Sequence, residues 1–188
     1  MRTLTTILLL IVCIAKAPAQ SLGNSRMGKF AFSAPFSRSA EKVNSLCSRS
    51  TKRFELAVAL IKHFEGWHTS RQYPYIGYGH CIQPGEHFRL PLTRRQADSL
   101  LRNDLSKLCR IFSYLGKDSL LIATLAYNVG PGTLLGSATR SKSDLIRKLE
   151  RGDRNIRSDY LRYCRWNGKV VPSIRKRRKV EFQLLYEN

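Results

Sequence analysis

The feature that most constrains the fold is the segment from Leu120 to Val129, which reads LLIATLAYNV. It is apolar nearly all the way round a helical wheel, and a helix without a polar face is stable only when other elements cover it on all sides. Asp118 or Ser119 precedes it as a candidate N-cap, and Gly130-Pro131-Gly132 follows as a stop signal. The sequence therefore predicts a buried central helix in a mainly α domain.

Further helices are predicted on both sides of this segment. Arg53 to Phe64 has apolar residues at helical spacing and ends at Glu65-Gly66. Thr93 and Gln96 have the spacing of a capping box at the start of the next helix. Later helices are predicted at Ser143 to Gly152, Asn155 to Trp166 and Pro172 to Tyr186.

The segment between the first two helices is rich in aromatic and turn-forming residues. Its helix-breaking residues are Pro74, Gly77, Gly79, Pro84 and Gly85. Such spacing favours short strands and turns over another helix. The predicted fold class is therefore α+β, mainly α, with a small β-rich flap after the first helix.

The beginning of the chain is predicted to lie outside this domain. Residues 1–19 have the pattern of an export signal, with a basic start, an apolar run from Ile7 to Ala15 and a small-residue cleavage site. The apolar run is shorter than the ~20 residues that a membrane-spanning helix needs. Residues 20–51 are Ser-rich and aperiodic, which predicts a flexible tether, and residues 52–188 are predicted to form one domain.

The chain is strongly basic, with 33 Lys and Arg against 13 Asp and Glu and a formal net charge of +20. Such an imbalance implies a polyanionic partner or an anionic surface. Export favours phospholipid headgroups or wall polymers over chromosomal DNA, and the sequence has no nucleic-acid-binding signature. Phosphate-rich walls or lipopolysaccharide are the expected anionic surfaces. The run from Arg175 to Lys179 is interpreted as a solvated basic face that draws a monomeric protein to such surfaces. Membrane disruption by this face is the non-enzymatic alternative.

Four cysteines follow the predicted export signal: Cys47, Cys81, Cys109 and Cys164. An even number in an exported protein permits disulfides, in three connectivities between which the sequence does not choose. Cys109 lies on an apolar helical stripe, which is also compatible with a buried thiol. The sequence has no Cys-x-x-Cys pair and no zinc-site spacing, so we expect no metal, nucleotide or redox cofactor.

Glu65 is a candidate proton donor. No other acid lies between Glu55 and Glu86, and Glu65 stands at the C-terminal end of an apolar helix. The negative end of the helix dipole and apolar neighbours both favour a protonated carboxyl group. A protonated carboxyl group can donate its proton to a glycosidic oxygen. The alternative is a glutamate that simply faces solvent.

Several short motifs occur in order along the chain. They are Phe64-Glu65-Gly66, Ile76-Gly77-Tyr78-Gly79-His80, Pro84-Gly85-Glu86, Leu92-Thr93 with Gln96-Ala97, Leu100 to Leu105, Ala126 to Gly130, Arg165-Trp166, and Arg175 to Arg178 before Glu181. This set resembles the phage-type lysozymes of glycoside hydrolase family 24, over roughly Phe54 to Tyr186. The resemblance implies a two-lobed lysozyme-like fold. It also implies cleavage of the β-1,4 link between N-acetylmuramic acid and N-acetylglucosamine in peptidoglycan.

The resemblance also implies roles for particular residues. It implies that Glu65 is the general acid and that His80 pairs with Asp104 in a structural role. The chain departs from the family pattern in the interval before Ile76, which is shorter and contains no Asp. Counting back from the glycine turn, the position of the missing carboxylate falls on Thr69, while Tyr75 stands where a threonine is expected.

Three explanations for the missing carboxylate remain open. Thr69 or His68 positions the water, with help from the acetamido group of the substrate. Alternatively Glu65 acts alone, as in lytic transglycosylases, or the site binds glycan without cleaving it. Glu86 is a more distant carboxylate whose loop has no expected catalytic role.

Aromatic and polar residues near Glu65 are candidate sugar contacts, because aromatic rings pack against the C–H faces of pyranoses. The candidates are Trp67, His68, Tyr73, Tyr75 and Asn128. For the aromatic residues the alternative is a small core beneath the flap. For Asn128 it is an ordinary helix C-cap.

Overall fold

The structure is a computed structural model that describes residues 37–187, with side chains from Ser48 onward. The predicted export signal and residues 20–36 of the predicted tether lie outside the described residues. Within the described range the chain forms seven α-helices, two short 3₁₀ helices and two small antiparallel sheets. The predicted class, α+β and mainly α, is confirmed.

Helix α1 runs from Ser37 to Glu65. It therefore includes residues 37–51, which the sequence analysis assigned to an irregular tether. The physical reason is that no Gly or Pro occurs between Ser37 and Glu65 to stop the helix, and polar residues are compatible with an exposed helix. The last three turns of α1 pack into the core through Ala57, Val58, Leu60 and Ile61.

Helix α2 (Arg94–Ile111) begins at the predicted capping box. The Thr93 hydroxyl accepts from the backbone N–H of Gln96 at 3.2 Å, and the Gln96 side chain accepts from the N–H of Thr93 at 2.9 Å. The buried side chains of α2 are Ala97, Leu101 and Leu105. The helix is thus anchored at its start and packed along one face.

Helix α3 (Ser119–Val129) is the central helix of the domain. Seven of its side chains are buried: Leu121, Ile122, Ala123, Thr124, Leu125, Ala126 and Val129. This confirms the predicted buried helix. Asp118 precedes α3 but makes no capping hydrogen bond, because its carboxylate pairs with Arg154 instead. No helix within residues 37–187, α3 included, is long and apolar enough to cross a bilayer.

Four helices follow α3, namely α4 (Pro131–Leu135), α5 (Asp144–Glu150), α6 (Arg157–Leu161) and α7 (Pro172–Leu185). Helices α5 and α7 confirm two predictions. Helix α4 was not predicted, because Pro131 after Gly130 was interpreted only as a stop. Proline is compatible with the first turn of a helix, where its missing N–H has no intrahelical partner to lose.

The segment from Asn155 to Trp166 is not one helix as predicted. Helix α6 ends at Leu161, and β3 (Arg165–Trp166) pairs with β4 (Lys169–Val170). The connection is Asn167-Gly168, with Asn167 at φ 47°. Asn-Gly is the dipeptide that most favours a two-residue hairpin turn, because both residues tolerate positive φ.

The flap predicted after α1 is present. It contains a 3₁₀ turn (Ser70–Gln72) and two strands, β1 (Tyr75–Ile76) and β2 (His80–Cys81), which pair antiparallel. Beneath it Ile76, Leu92 and Ala97 form a small buried cluster, separate from the main core around α3. The flap is therefore a second packing unit beside the main helical core.

The cysteines form no disulfide among the residues whose side chains are described. Cys81, Cys109 and Cys164 are not joined to one another, and Cys109 and Cys164 are free thiols. Burial raises the pKa of the Cys109 thiol to about 11, as expected for a thiol on an apolar stripe. The side chain of Cys47 lies outside the described residues.

Candidate active site

A cleft of about 320 Å³ lies where the end of α1, the flap, α2 and the end of α3 meet. Glu65 lines it from α1, His68 and Tyr75 from the flap segment, and Asn128 from α3. The other lining residues are Gly79, His80, Cys81, Gln83, Glu86, Asp104, Lys107, Leu108, Ile111, Ala126, Tyr127, Gly130 and Pro131. Six of the predicted site residues, including His80 and Asp104, therefore line this one cleft.

The carboxylate of Glu65 is held at one oxygen. Its side chain is 10% exposed, and Oε1 accepts from Arg177 Nη1 at 2.7 Å and from Asn128 Nδ2 at 3.4 Å. Oε2 has no hydrogen bond to any described residue. Glu65 therefore does not simply face solvent, and its two oxygens stand in different environments.

Arg177, the closer partner of Glu65, belongs to a buried charged network centred on α7. Glu181 accepts from Arg177 Nε at 2.7 Å, from Arg178 Nη1 at 2.5 Å and from the hydroxyl of Tyr160 at 3.0 Å. Arg178 also donates to the side-chain oxygen of Asn128. Glu65 and Glu181 are the two carboxylates that contact these arginines. The network thus ties Glu65 and Asn128 to α7.

This network corrects two expectations from the sequence. Arg177 and Arg178 are 1% and 0% exposed, so they do not belong to a solvated basic face. Glu65 was expected among apolar neighbours, but a guanidinium group contacts its Oε1. The reason is the face of α7: positions 174, 177, 178, 181, 182 and 185 follow one helical stripe, and all of them are buried.

The pKa values of the network follow from burial and charge. Burial acts to lower the pKa of Arg177, but the attraction of Glu65 and Glu181 outweighs it and raises that pKa. Burial acts to raise the pKa of Glu181, but Arg178 and Arg177 outweigh it and lower that pKa. Burial raises the pKa of the Tyr160 hydroxyl well above its ordinary value. Arg177 and Glu181 are therefore held charged, and Tyr160 remains a neutral donor.

The glycines of the flap turn allow two close approaches. Gly77 (φ 59°) packs against α2, and a Cβ built on it would lie 2.7 Å from the Cβ of Ala97. Gly79 (φ 93°) faces Glu65, and a Cβ there would lie 3.5 Å from Oε2. Glycine accepts positive φ without strain and leaves this oxygen uncovered. The Ile-Gly-Tyr-Gly-His motif is therefore explained by the approach of the flap to α1 and α2.

His80 is clamped between two carboxylates on one wall of the cleft. Its Nδ1 lies 2.5 Å from Asp104 Oδ2, and its Nε2 lies 3.0 Å from Glu86 Oε2. Burial acts to lower the pKa of His80, but hydrogen bonds and charge from Asp104 and Glu86 outweigh it and raise that pKa. The backbone N–H of Gln83 is the main cause of a lowered pKa at Glu86. Both acids are thus engaged in holding β2 to α2 and to the following loop.

His68 stands in the wall between the cleft and a second cavity of about 430 Å³. It is 7% exposed, and its backbone N–H donates to Gly77 O at 2.8 Å. Neither ring nitrogen has a hydrogen-bond partner among the described residues, and Nδ1 is fully buried. The nearest ring is that of Tyr75, with centroids 6.4 Å apart. His68 is thus a buried but unpartnered imidazole in the wall of the cleft that Glu65 also lines.

Thr69 faces the second cavity and is not among the residues that line the cleft of Glu65. Its side chain caps the 3₁₀ turn, donating to Gln72 Oε1 at 2.9 Å and accepting from the N–H of Arg71 at 3.4 Å. The structure therefore does not bring Thr69 and Glu65 together, because the turn after α1 uses the hydroxyl as a cap.

Two of the predicted sugar contacts also lie away from the cleft. Tyr73 is 72% exposed and lines neither cavity. Trp67 lines the second cavity, packs edge-to-face on Tyr78 at 5.3 Å, and lies under the guanidinium of Arg94 at 4.2 Å. Trp67 therefore forms part of the small core beneath the flap, which was the alternative considered for it.

Within the described residues, no group of three or more His, Cys, Asp or Glu side chains is arranged to hold a metal ion. Comparison with family models matches residues 62–181 to the family described as phage lysozyme. A search of the curated proteins finds no match. The matched range covers well over half of the chain and includes Glu65, the buried network and the whole flap.

Proposed function

We propose that this chain, which belongs to the phage lysozyme family, is an exported enzyme that hydrolyses the β-1,4 link between N-acetylmuramic acid and N-acetylglucosamine. Family membership supports a peptidoglycan hydrolase in general. The resemblance of the motifs around Glu65 to those of the family supports this particular bond and this proton donor.

One observation carries the assignment of Glu65 as the general acid. Two donors, Arg177 and Asn128, occupy Oε1, while Oε2 has no partner among the described residues and lies beside Gly79. A carboxyl group whose one oxygen accepts hydrogen bonds carries its proton on the other oxygen. Oε2 is therefore the atom that would protonate the glycosidic oxygen as the bond to the sugar breaks.

The rest of the cleft would position the glycan. The Asn128 amide nitrogen has a second N–H, which would donate to an N-acetyl carbonyl while the first contacts Glu65. Tyr75 lines the same cleft, where its ring would pack against a sugar face. A fixed network behind Glu65 keeps the acid in one orientation, as electrostatic preorganisation requires.

The test is Glu65→Gln assayed on purified peptidoglycan. We expect loss of at least about 100-fold in turnover, because an amide cannot donate an acidic proton. Glu55→Gln is the matched control, since Glu55 lies on the same helix but is exposed and pairs with Arg102. A Glu65→Gln variant that clears walls as fast as the unsubstituted protein would exclude Glu65 as the acid.

A transglycosylase-type reaction is a second candidate, because the other carboxylates of the cleft are engaged. Glu86 and Asp104 both hold His80, so neither stands free to activate water. If the 6-hydroxyl of the sugar attacks instead of water, the digest contains anhydro ends. Hydrolysis leaves reducing ends, and mass spectrometry of the products separates the two. A binder without activity would release neither.

The exposed basic residues would draw the enzyme to anionic wall polymers or lipopolysaccharide. On α7 these are Arg175, Lys176 and Lys179, which point away from the buried pair Arg177 and Arg178. Attraction of this kind is screened by salt. Retention of the protein on isolated cell walls should therefore weaken steeply between low and physiological ionic strength. Retention that does not depend on salt would contradict electrostatic attraction by these residues.

A further inference from the structure

His68 is the unexplained polar group of the cleft. Its ring is buried in the wall shared by two cavities, yet neither nitrogen has a hydrogen-bond partner among the described residues. Buried polar groups are almost always hydrogen-bonded, because an unpartnered one costs free energy of desolvation. A group kept in this state in the cleft of a candidate acid calls for a functional explanation.

The other titratable side chains that line the cleft make hydrogen bonds, ion pairs or other interactions. Asp104 and Glu86 hold His80, Lys107 lies 3.6 Å from Asp104, and the Tyr127 hydroxyl donates to the backbone of Tyr78 at 3.0 Å. Tyr75 and Cys81 also have interactions. Among the described cleft residues, His68 is therefore the titratable group left without a hydrogen bond or ion pair.

The backbone holds His68 in place although its ring is unpartnered. Its N–H donates to Gly77 O at 2.8 Å, in an isolated bridge that ties the residue to the glycine turn. The same turn carries Gly79 against Oε2 of Glu65. The flap thus fixes the imidazole and the acid in one cleft, whereas the neighbouring Thr69 faces the second cavity.

We propose that His68 is the second catalytic residue, the base that replaces the carboxylate missing from this segment; the proposal rests on the glycan hydrolysis proposed above. A ring nitrogen of neutral His68 takes a proton from water as the water oxygen forms its bond to C1 of the sugar. The C1–O4 bond breaks, and O4 takes the proton from Oε2 of Glu65. One water is consumed. The His68 imidazolium then loses its proton to solvent, and the Glu65 carboxylate takes a proton up.

Substitutions at His68 test this role in the full-length protein on soluble peptidoglycan fragments. Asn and Gln place an amide near Nδ1 and Nε2 respectively, so they keep polarity but accept no proton. We expect kcat to fall at least about 100-fold in both, with little change in KM, as for loss of a general base. His68→Asp puts a carboxylate back and should retain more activity than His68→Asn.

Two further readouts distinguish a base from a structural or binding residue. Imidazole or azide added to His68→Gly should restore cleavage, whereas neither should restore Glu65→Gln. The acid limb of the pH–rate profile should move to lower pH in His68→Asp, because carboxyl groups in general titrate below imidazoles. Melting temperatures of all variants check that they are folded.

The outcomes separate this inference from the proposed function. Three results would overturn His68 as the base. They are a kcat within about threefold of the unsubstituted protein in His68→Asn and His68→Gln, a change in KM alone in these variants, and no rescue of His68→Gly by imidazole or azide. Anhydro products from the unsubstituted protein would also overturn it, since no water is then activated, but would leave glycan cleavage standing. Absence of any product would refute the proposed function itself.

Discussion

Replacing Glu181 by Gln tests whether the buried network supports the fold as the contacts indicate. Glu181 is 0% exposed and accepts hydrogen bonds from Arg177, Arg178 and Tyr160. The substitution keeps the shape but removes the negative charge that contacts both arginines. It also turns an N–H group of the new amide towards guanidinium donors.

The expected magnitude follows from the burial of these charges. Removing one partner of a buried ion pair costs about 3–5 kcal/mol, because the remaining charge stays buried without compensation. In a domain of this size that loss corresponds to a fall of roughly 10 °C in melting temperature. Tyr160→Phe removes only a neutral donor from the same carboxylate and should cost about 1 kcal/mol. Glu181→Gln should also lower activity, since Arg177 contacts Glu65.

The assay is urea and thermal unfolding followed by far-UV circular dichroism. Glu55→Gln is the matched control, because Glu55 pairs with Arg102 at the surface, where screening by water makes such pairs weak. We expect the control to unfold almost as the unsubstituted protein does. A loss below about 1 kcal/mol for Glu181→Gln would refute the reasoning, since it would place the network in the range of surface pairs.

Two other predictions follow from the flap. Because the pKa of His80 is raised in the folded state, His80 stabilises the fold fully below its ordinary pKa of 6.5, and this stabilisation is lost as pH rises through the folded-state pKa. Urea unfolding across this pH range should show the decline in stability, and His80→Asn should abolish the decline. Gly79→Ala should lower stability by about 1–2 kcal/mol through strain at positive φ, and should lower turnover because its methyl group contacts Glu65 Oε2. Gly85→Ala has the same kind of strain, but its added methyl group would contact nothing within 4 Å. Equal losses of turnover in Gly79→Ala and Gly85→Ala would therefore contradict an effect of the methyl group on Glu65.

Local signals in the sequence predicted most of the helices correctly. The capping box at Thr93, the helix start at Ser143 and the start of α7 at Pro172 each depend on residues within one helical turn. Such signals act over short distances, so a single sequence is enough to locate them. The β3–β4 hairpin was missed although Asn167-Gly168 is an equally local signal, because the predicted helix was extended to Trp166 and so covered strand β3.

The candidate acid could be located from sequence, but its surroundings could not. Glu65 stands at the end of an apolar helix, which the sequence indicates. Its partner Arg177 lies 112 residues further along the chain, in a run of basic residues that resembles a solvated surface. The buried stripe of α7 contained the signal, because Arg177, Arg178 and Glu181 share the helical face of its apolar residues.

The amino-acid sequence by itself determined most of the helical elements, the turn of the flap and the position of Glu65, since these depend on periodicity, caps and glycine. Only the tertiary structure decided that Arg177 and Asn128 hold Glu65 and that His68, not Thr69, lines its cleft. Side chains of adjacent residues leave an extended segment in different directions, and counting along the chain does not reveal which one faces a distant element. That choice is made by packing, where the bridge to Gly77 places His68 and the cap of the 3₁₀ turn engages Thr69.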